Sequence, residues 1–229
     1  MKIGGLQKVS LSDYPGQVSA VLFTQGCNFR CPYCHNPELV DPGRYGETLC
    51  EKEVLEFLEQ RRGKLDAVTI SGGEPTLQPD LLSFAGQIRH RDFLVKVDTN
   101  GSCPDVLEKL IASGVVDYFA MDIKGPPEKY KQITKSGVDW EMIRQSIELI
   151  KNSGIEHEFR TTVVKSLLDA ADLSGIAKSI KPARLFVLQT FVPCRTLDKR
   201  FQEEARGTRH ELENIQKAIR QDISCILIR

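Results

Sequence analysis

Three cysteines stand within eight residues, in the segment Cys27-Asn-Phe-Arg-Cys31-Pro-Tyr-Cys34-His35-Asn36. Thiols at such spacing can exchange disulfides, carry haem or bind metal. Cys31-Pro32-Tyr33-Cys34 alone fits a dithiol redox motif, and Cys31-x-x-Cys34-His35 alone fits a c-type haem attachment site. Adding Cys27 and His35 gives four ligands for structural zinc. A set of free thiols in a loop is the plainest alternative. A fifth reading is that three thiolates hold three corners of a [4Fe–4S] cube and leave the fourth iron open. An open position marks a catalytic metal, as it does for zinc. The haem reading requires export, and no signal segment is visible. The dithiol reading leaves Cys27 and most of the chain unexplained. Zinc sites usually pair two C-x2-C units, and the second is missing. The cluster reading uses all three cysteines.

The elements that must position this segment follow from hydrophobic patterning. Short apolar runs predict strands at Val18–Thr24, Ala67–Ser71, Leu94–Asp98, Tyr118–Ile123, Glu158–Val164, Leu185–Phe191 and Ser224–Ile228. Amphipathic stretches between them predict helices over about Leu49–Gln60, Pro79–Arg89, Pro104–Ser113, Asp139–Asn152, Leu168–Ile180 and Thr208–Gln221. Asn100-Gly101-Ser102 reads as a turn before Pro104 at a helix start, and Asn152-Ser153-Gly154 as a helix stop. Strands alternating with helices predict an α/β fold with a mostly parallel sheet. Periodicity alone leaves open a doubly wound sheet or a full or partial (β/α) barrel. In each, ligands bind at the C-terminal ends of the strands. The unusual residues collect there: Gln25-Gly26-Cys27, Gly72-Gly73-Glu74-Pro75, Asp98-Thr99-Asn100-Gly101, and Asp122 with Lys124. Arg160 lies inside the fifth predicted strand.

Composition sets outer bounds. The chain has 229 residues, 41% hydrophobic and 27% charged, which suits one globular domain over 1–229, with a core from about residue 16 and a short N-terminal extension. Lys+Arg and Asp+Glu both count 31, so net charge offers no bulk attraction to nucleic acid or anionic lipid. No apolar run approaches the length that spans a bilayer, and a cytoplasmic location with neither membrane nor nucleic-acid partner is expected. Seven cysteines in a reducing compartment are thiols or ligands rather than staples.

C-x3-C-x2-C with an aromatic residue before the last cysteine resembles the signature of the radical S-adenosylmethionine superfamily. Ser71-Gly72-Gly73-Glu74-Pro75 resembles its second motif, which lines the methionine end of that cofactor. The likeness extends to activating enzymes of glycyl-radical proteins through Asp13-Tyr14-Pro15-Gly16, Phe23-Thr24-Gln25-Gly26-Cys27, Cys34-His35-Asn36-Pro37, Asp98-Thr99-Asn100-Gly101 and Met121-Asp122-Ile123-Lys124. Within that group the sequence is most similar to the activating proteins of anaerobic ribonucleoside-triphosphate reductase, with the pyruvate formate-lyase activators as near relatives.

The resemblance implies a partial (β/α)6 TIM-like barrel and an oxidoreductase that uses a [4Fe–4S] cluster on Cys27, Cys31 and Cys34 to split S-adenosylmethionine reductively. The resulting 5′-deoxyadenosyl radical would act on a glycine of a partner reductase, with reduced flavodoxin or ferredoxin as electron donor. It also implies cofactor-binding roles. Gly72 and Gly73 let the backbone approach the ligand, Glu74 accepts from its ammonium group, and Tyr33 and His35 flank the adenine. Asp98, Thr99, Asp122 and Lys124 form a polar constellation that includes a monovalent cation near the cofactor carboxylate, and Arg160 faces that carboxylate. Plain structural alternatives are a β-turn at Gly72-Gly73, a packed Tyr33, a surface His35, a salt-bridge network at the strand ends, and pairing of Arg160 with Glu158 or Asp122.

Two departures matter. Pyruvate formate-lyase activators carry a cofactor-contacting histidine on the sixth strand, whereas here the stretch reads Leu188-Gln189-Thr190-Phe191-Val192-Pro193. Between Cys34 and Ser71 lie 36 residues with Cys50 the sole cysteine, too few ligands for further clusters. A radical enzyme acting on a small molecule or another peptide, and a non-enzymatic zinc or iron–sulfur module, are the remaining alternatives.

Overall fold

A computed structural model describes residues 1–220, 223 and 225–229. Eight strands form one sheet in strict sequence order. They are β1 (Ile3–Ser10), β2 (Ser19–Thr24), β3 (Ala67–Gly72), β4 (Leu94–Thr99), β5 (Tyr118–Asp122), β6 (Glu156–Val163), β7 (Phe186–Thr190) and β8 (Ile226–Ile228). β1 runs antiparallel to β2, and every later pair is parallel. β1 and β8 are the two edges, so the sheet is open, as the partial-barrel expectation requires.

The helices fall between the strands: α1 (Pro37–Val40), α2 (Glu51–Glu59), α3 (Leu81–Arg89), α4 (Pro104–Ser113), α5 (Pro127–Thr134), α6 (Trp140–Asn152), α7 (Ala170–Ile180) and α8 (Arg209–Ile219). Their starts follow local chemistry. Pro104 opens α4, and the Asp139 carboxylate accepts from the Glu141 amide at the start of α6. Asp169 with Asp172 and Thr208 with Glu211 form capping boxes. The expected last helix and last strand reached Gln221 and Ser224, which lie outside the described residues. β1, α1 and α5 were not expected: the N-terminal extension contributes a strand, a single turn follows the cysteine segment, and a helix follows the breakers Gly125-Pro126.

The two faces of the sheet carry different chemistry, because strand side chains alternate. One set, including Val68, Ile70, Val95, Val97, Phe119 and Phe159, is fully buried in the main core with the helix residues Phe84, Ile88, Leu107 and Leu110. The opposite parity reads Thr69 and Ser71, then Lys96 and Asp98, then Tyr118 and Asp122, then Glu158 and Arg160. The apolar cluster on that side is small, built from Tyr14, Ala67, Tyr118 and Ala120. The inner face is therefore a polar surface, and register brings its charges together: Asp122 stands opposite Arg160.

Candidate functional site

The chain leaves β2 through Gln25-Gly26, where Gly26 takes a φ of +108°, and enters the cysteine segment. That segment lacks regular structure and is tied down by its neighbours. The Arg30 amide donates to the Thr134 carbonyl at the end of α5, at 2.8 Å. From the stretch after β7, the Leu197 amide donates to the Cys34 carbonyl at 3.0 Å and the Asp198 amide to that of Pro32 at 2.9 Å. His35 stacks on Phe191 at 5.2 Å, and its Nε2 lies 3.0 Å from the Val192 carbonyl.

Cys27, Cys31 and Cys34 open into one cleft, which encloses about 880 Å³ including its mouth. Tyr33, His35, Gly72, Gly73, Glu74, Asp98, Thr99, Asp122 and Lys124 line the same cleft. Arg160 does not; it stands behind its carboxylates. Ser71, Asn100 and Thr162 also line it and were not among the expected site residues. Strand parity could have found two of them, since Ser71 follows Thr69 and Thr162 follows Arg160 on the inner face.

The two glycines of the turn after β3 are packed tightly against protein backbone. A Cβ on Gly72 would stand 2.3 Å from the Thr24 amide nitrogen, and one on Gly73 would stand 2.1 Å from the Gly26 carbonyl oxygen. Their bareness lets β3 and its turn pack against the end of β2 and the approach to Cys27.

Glu74 is buried and serves as a hub. Its Oε1 accepts from the Thr76 amide (3.1 Å), the Thr76 hydroxyl (2.6 Å) and the Thr99 hydroxyl (2.7 Å), while Oε2 accepts from the Asn100 amide at 2.6 Å. Burial pushes its carboxyl up, and these donors oppose the shift. Oε2, with one partner, keeps acceptor capacity. Asn100 carries the link onward, donating from Nδ2 to Asn28 in the cysteine segment at 2.9 Å.

Charges alternate along the cleft floor. Asp98 accepts from Lys96, from the Ser71 hydroxyl at 3.0 Å and from Arg160 at 3.2 Å. Arg160 also donates to Asp122 at 2.8 Å, and Lys124 donates to the other Asp122 oxygen at 3.1 Å. Burial alone would raise both aspartates. The guanidinium of Arg160, with Lys96 for Asp98 and Lys124 for Asp122, outweighs it and holds both below the usual carboxylate range. Glu158 is gripped by Arg229 through two 3.0 Å bonds. The cations Lys96, Arg160 and Lys124 are thus interleaved with Asp98 and Asp122, and of the three only Lys124 lines the cleft.

The thiols lack such compensation. Burial pushes Cys27 up to about 12 and Cys31 up to about 11, and it raises Cys34 as well. Metal coordination takes thiolates outright and supplies the missing counter-charge. Among the described residues no three His, Cys, Asp and Glu groups are placed to hold a single metal ion. Three thiols lining one cleft are the donor set that suits an iron–sulfur cluster. All seven cysteines are free.

An open parallel sheet with three thiols and a polar cleft at its C-terminal edge describes a cofactor-dependent α/β enzyme. The radical SAM superfamily profile matches residues 21–171. A protein of Methanocaldococcus jannaschii, provisionally named a glycyl-radical enzyme activating enzyme, is 37% identical across 99% of this chain and 95% of its own length. The pyruvate formate-lyase-activating enzyme of Clostridium pasteurianum is 30% identical across 86% and 83%. Streptococcus suis SuiB bound to S-adenosylmethionine has a similar fold, with a TM-score of 0.66 at 14% identity, over 91% of this chain and 51% of that one. This chain spans about half of that solved chain's length. The chain belongs to the radical SAM superfamily and is a homologue of the glycyl-radical enzyme activating enzymes. It is an oxidoreductase of that superfamily, whose members use a [4Fe–4S] cluster and S-adenosylmethionine. Among the described residues no helix is long and apolar enough to cross a membrane.

Proposed function

We propose that this enzyme generates a glycyl radical on a partner protein, and that the partner is anaerobic ribonucleoside-triphosphate reductase. The observation that carries this reading is the meeting of Cys27, Cys31 and Cys34 with Glu74, Asp98 and Asp122 in one cleft at an open sheet edge. Cys27, Cys31 and Cys34 would hold the cluster, which would supply the electron for reductive cleavage of S-adenosylmethionine, with hydrogen abstraction from a glycine Cα of the partner as the outcome.

The chain's own residues bind, orient and exclude water. Cys27, Cys31 and Cys34 hold the cluster. The spare acceptor capacity of Glu74 takes the ammonium group, with Gly72 and Gly73 fixing the turn that presents it. Tyr33 and His35, packed on Phe191, border the adenine. The Lys124 ammonium faces the carboxylate, and Asp98, Thr99 and Asp122 supply oxygens for a monovalent cation. Arg160 serves as a positioning residue that holds both aspartates in place. Residues 1–229 act as one radical SAM domain in the reducing cytoplasm, with reduced flavodoxin or ferredoxin as donor. A sheet left open between β1 and β8 gives a partner's loop a way in that a closed barrel would deny.

A second reading, activation of a pyruvate formate-lyase, is favoured by the Clostridium pasteurianum relative. The stretch Leu188–Pro193 without histidine favours the reductase. Anaerobic reconstitution with iron and sulfide is expected to give a brown protein that releases 5′-deoxyadenosine and methionine on reduction. A colourless protein that retains only zinc would sink both readings. Co-incubation with each candidate partner separates them by which one develops a glycyl-radical electron paramagnetic resonance signal.

A further inference from the structure

Two carboxylates compete for one guanidinium on the inner face, and the fold has settled the contest. Glu158 and Arg160 are neighbours on that face of β6, and Glu158 is fully buried. Its Oε1 lies 3.8 Å from the Arg160 Nη1, beyond hydrogen-bond reach. The same Nη1 donates instead to Asp98, at 3.2 Å, across β5. A buried carboxylate must be paired, so Glu158 left to itself would draw Arg160 onto its own strand. Arg229 prevents this. Its Nη1 and Nη2 donate to Oε1 and Oε2 at 3.0 Å each, a fork on both oxygens, and the Tyr118 hydroxyl stands 3.5 Å from Oε2. The Arg229 backbone is fixed as well: its amide donates to the Leu188 carbonyl at 3.0 Å, and its carbonyl accepts from the Thr190 amide at 2.8 Å. Leu227 pairs with Val187, and Val187 with Arg160, so Arg229, two residues on, falls on the same inner face. Its side chain crosses β7 to reach β6.

We infer that Arg229 is a positioning residue for the cofactor site: by occupying both oxygens of Glu158 it keeps Arg160 extended to Asp98. This role rests on the cofactor contact proposed for Asp98 and goes beyond it, since Glu158 and Arg229 both stand outside the cleft lining. Asp98 depends on the arrangement more than Asp122 does. Arg160 holds Asp122 through Nε at 2.8 Å, and Lys124 holds the other Asp122 oxygen at 3.1 Å, so neither bond uses the contested Nη1. A merely structural ion pair would stabilise the fold without deciding which carboxylate Arg160 serves. Competition predicts something sharper: losing Arg229 harms Asp98 only while Glu158 is present to compete.

The test compares the wild-type chain with Arg229→Met, Glu158→Gln and the two substitutions together. In crystals of metal-free Arg229→Met, the Arg160 Nη1 should lie within hydrogen-bond distance of Glu158 and no longer of Asp98. The double variant should return it to Asp98. After anaerobic reconstitution, equilibrium binding of S-adenosylmethionine should weaken about tenfold in Arg229→Met, the usual scale for losing an outer partner of a site. It should recover to within about threefold of wild type in the double variant, a non-additivity that independent sites do not show. Arg229→Lys, whose ammonium cannot fork across both oxygens, should weaken binding less than Arg229→Met. If Arg229→Met does not fold, Arg229→Lys alone and with Glu158→Gln carries the same comparison, weakened in the first and restored in the second. Equally weak binding in the single and double variants would overturn the inference, as would an Arg160 that stays on Asp98 in Arg229→Met. A lowered urea midpoint with wild-type binding would mark a merely structural pair and overturn it too. A wild-type chain that does not bind S-adenosylmethionine would sink the proposed function instead, while the metal-free crystals still decide what Arg229 does to Arg160.

Discussion

The two walls of the cleft are built on opposite principles. On the strand-end wall every charge already has a partner: Lys96 with Asp98, Asp98 with Arg160, Arg160 with Asp122, Asp122 with Lys124. On the cysteine wall the groups are incomplete, with three thiols pushed up by burial. The first wall is finished by folding. The second is finished only by what it binds. An enzyme that handles a reactive radical gains from this division, because a prebuilt floor fixes geometry before the cofactors arrive.

The comparison breaks most visibly in metal-free protein. Arg160→Met strips one partner from each of two inner-face carboxylates, whose side chains are 11% and 27% exposed. Removing one member of a buried ion pair costs about 3–5 kcal/mol, and the lower end applies because Lys96 and Lys124 remain. Cys31→Ala in the same metal-free state removes only a small apolar side chain and should cost about 1 kcal/mol. Urea unfolding of the two variants measures the gap directly. Equal losses would mean that the walls are not built differently. After reconstitution the ranking should invert for iron retained per chain, with Cys31→Ala losing the cluster and Arg160→Met keeping it.

A smaller effect is expected where the walls meet. Gly73→Ala places a methyl group against the Gly26 carbonyl, and backbone cannot yield there as a flexible side chain would. Overpacking of this kind costs about 1–3 kcal/mol. Gly26 precedes Cys27, so the displacement should pass to the cysteine segment and weaken iron retention against a chelator by about tenfold. Gly86→Ala, with no atom within 4 Å of the added Cβ, is the control. Wild-type iron retention in Gly73→Ala would show that the turn and the cysteine segment are mechanically independent.

Much of this was legible in the sequence, and the reasons are specific. The strand over Ala67–Gly72 and the helix Pro104–Ser113 carry clean signals, an apolar run in one and an initial proline with a following glycine in the other. β1 was hidden because Gly4-Gly5-Leu6-Gln7-Lys8 does not alternate; as an edge strand it is half exposed on both faces. α5 was hidden because Gly125-Pro126-Pro127 reads as a loop, although Pro127 suits a helix start. The site residues were visible as motifs, yet what joins them was not. Lys96 was not among the expected site residues; its partner Asp98 stands two residues on along the same strand, and the reach of Arg160 from β6 to Asp98 and Asp122 closes the charge network. The packing of Gly72 and Gly73 against β2 was not legible, since a sequence does not show what lies on the other side of a missing Cβ.

The finest test of the division is acid titration of the metal-free chain. Asp98 and Asp122 have folded-state pKa values held below the unfolded value of about 3.9. Their contribution to stability is complete above that value. It drains as pH falls from about 5 through the unfolded pKa, because the unfolded chain then binds protons that the folded chain refuses. Glu74 works in the opposite sense. Its raised carboxyl lets the folded chain take a proton first, so acidification relieves part of its burial cost. The observed limb is therefore the aspartate term less the Glu74 term. Across pH 5.0 to 3.5 the wild-type urea midpoint should fall, with a slope of about 1 kcal/mol per pH unit if the net difference is near one proton. Arg160→Met lets both aspartates drift back toward ordinary values and should flatten the limb, whereas Cys31→Ala should leave it parallel to wild type. A parallel limb in Arg160→Met would place the acid sensitivity elsewhere and take from the strand-end wall its claim to be complete before any cofactor binds.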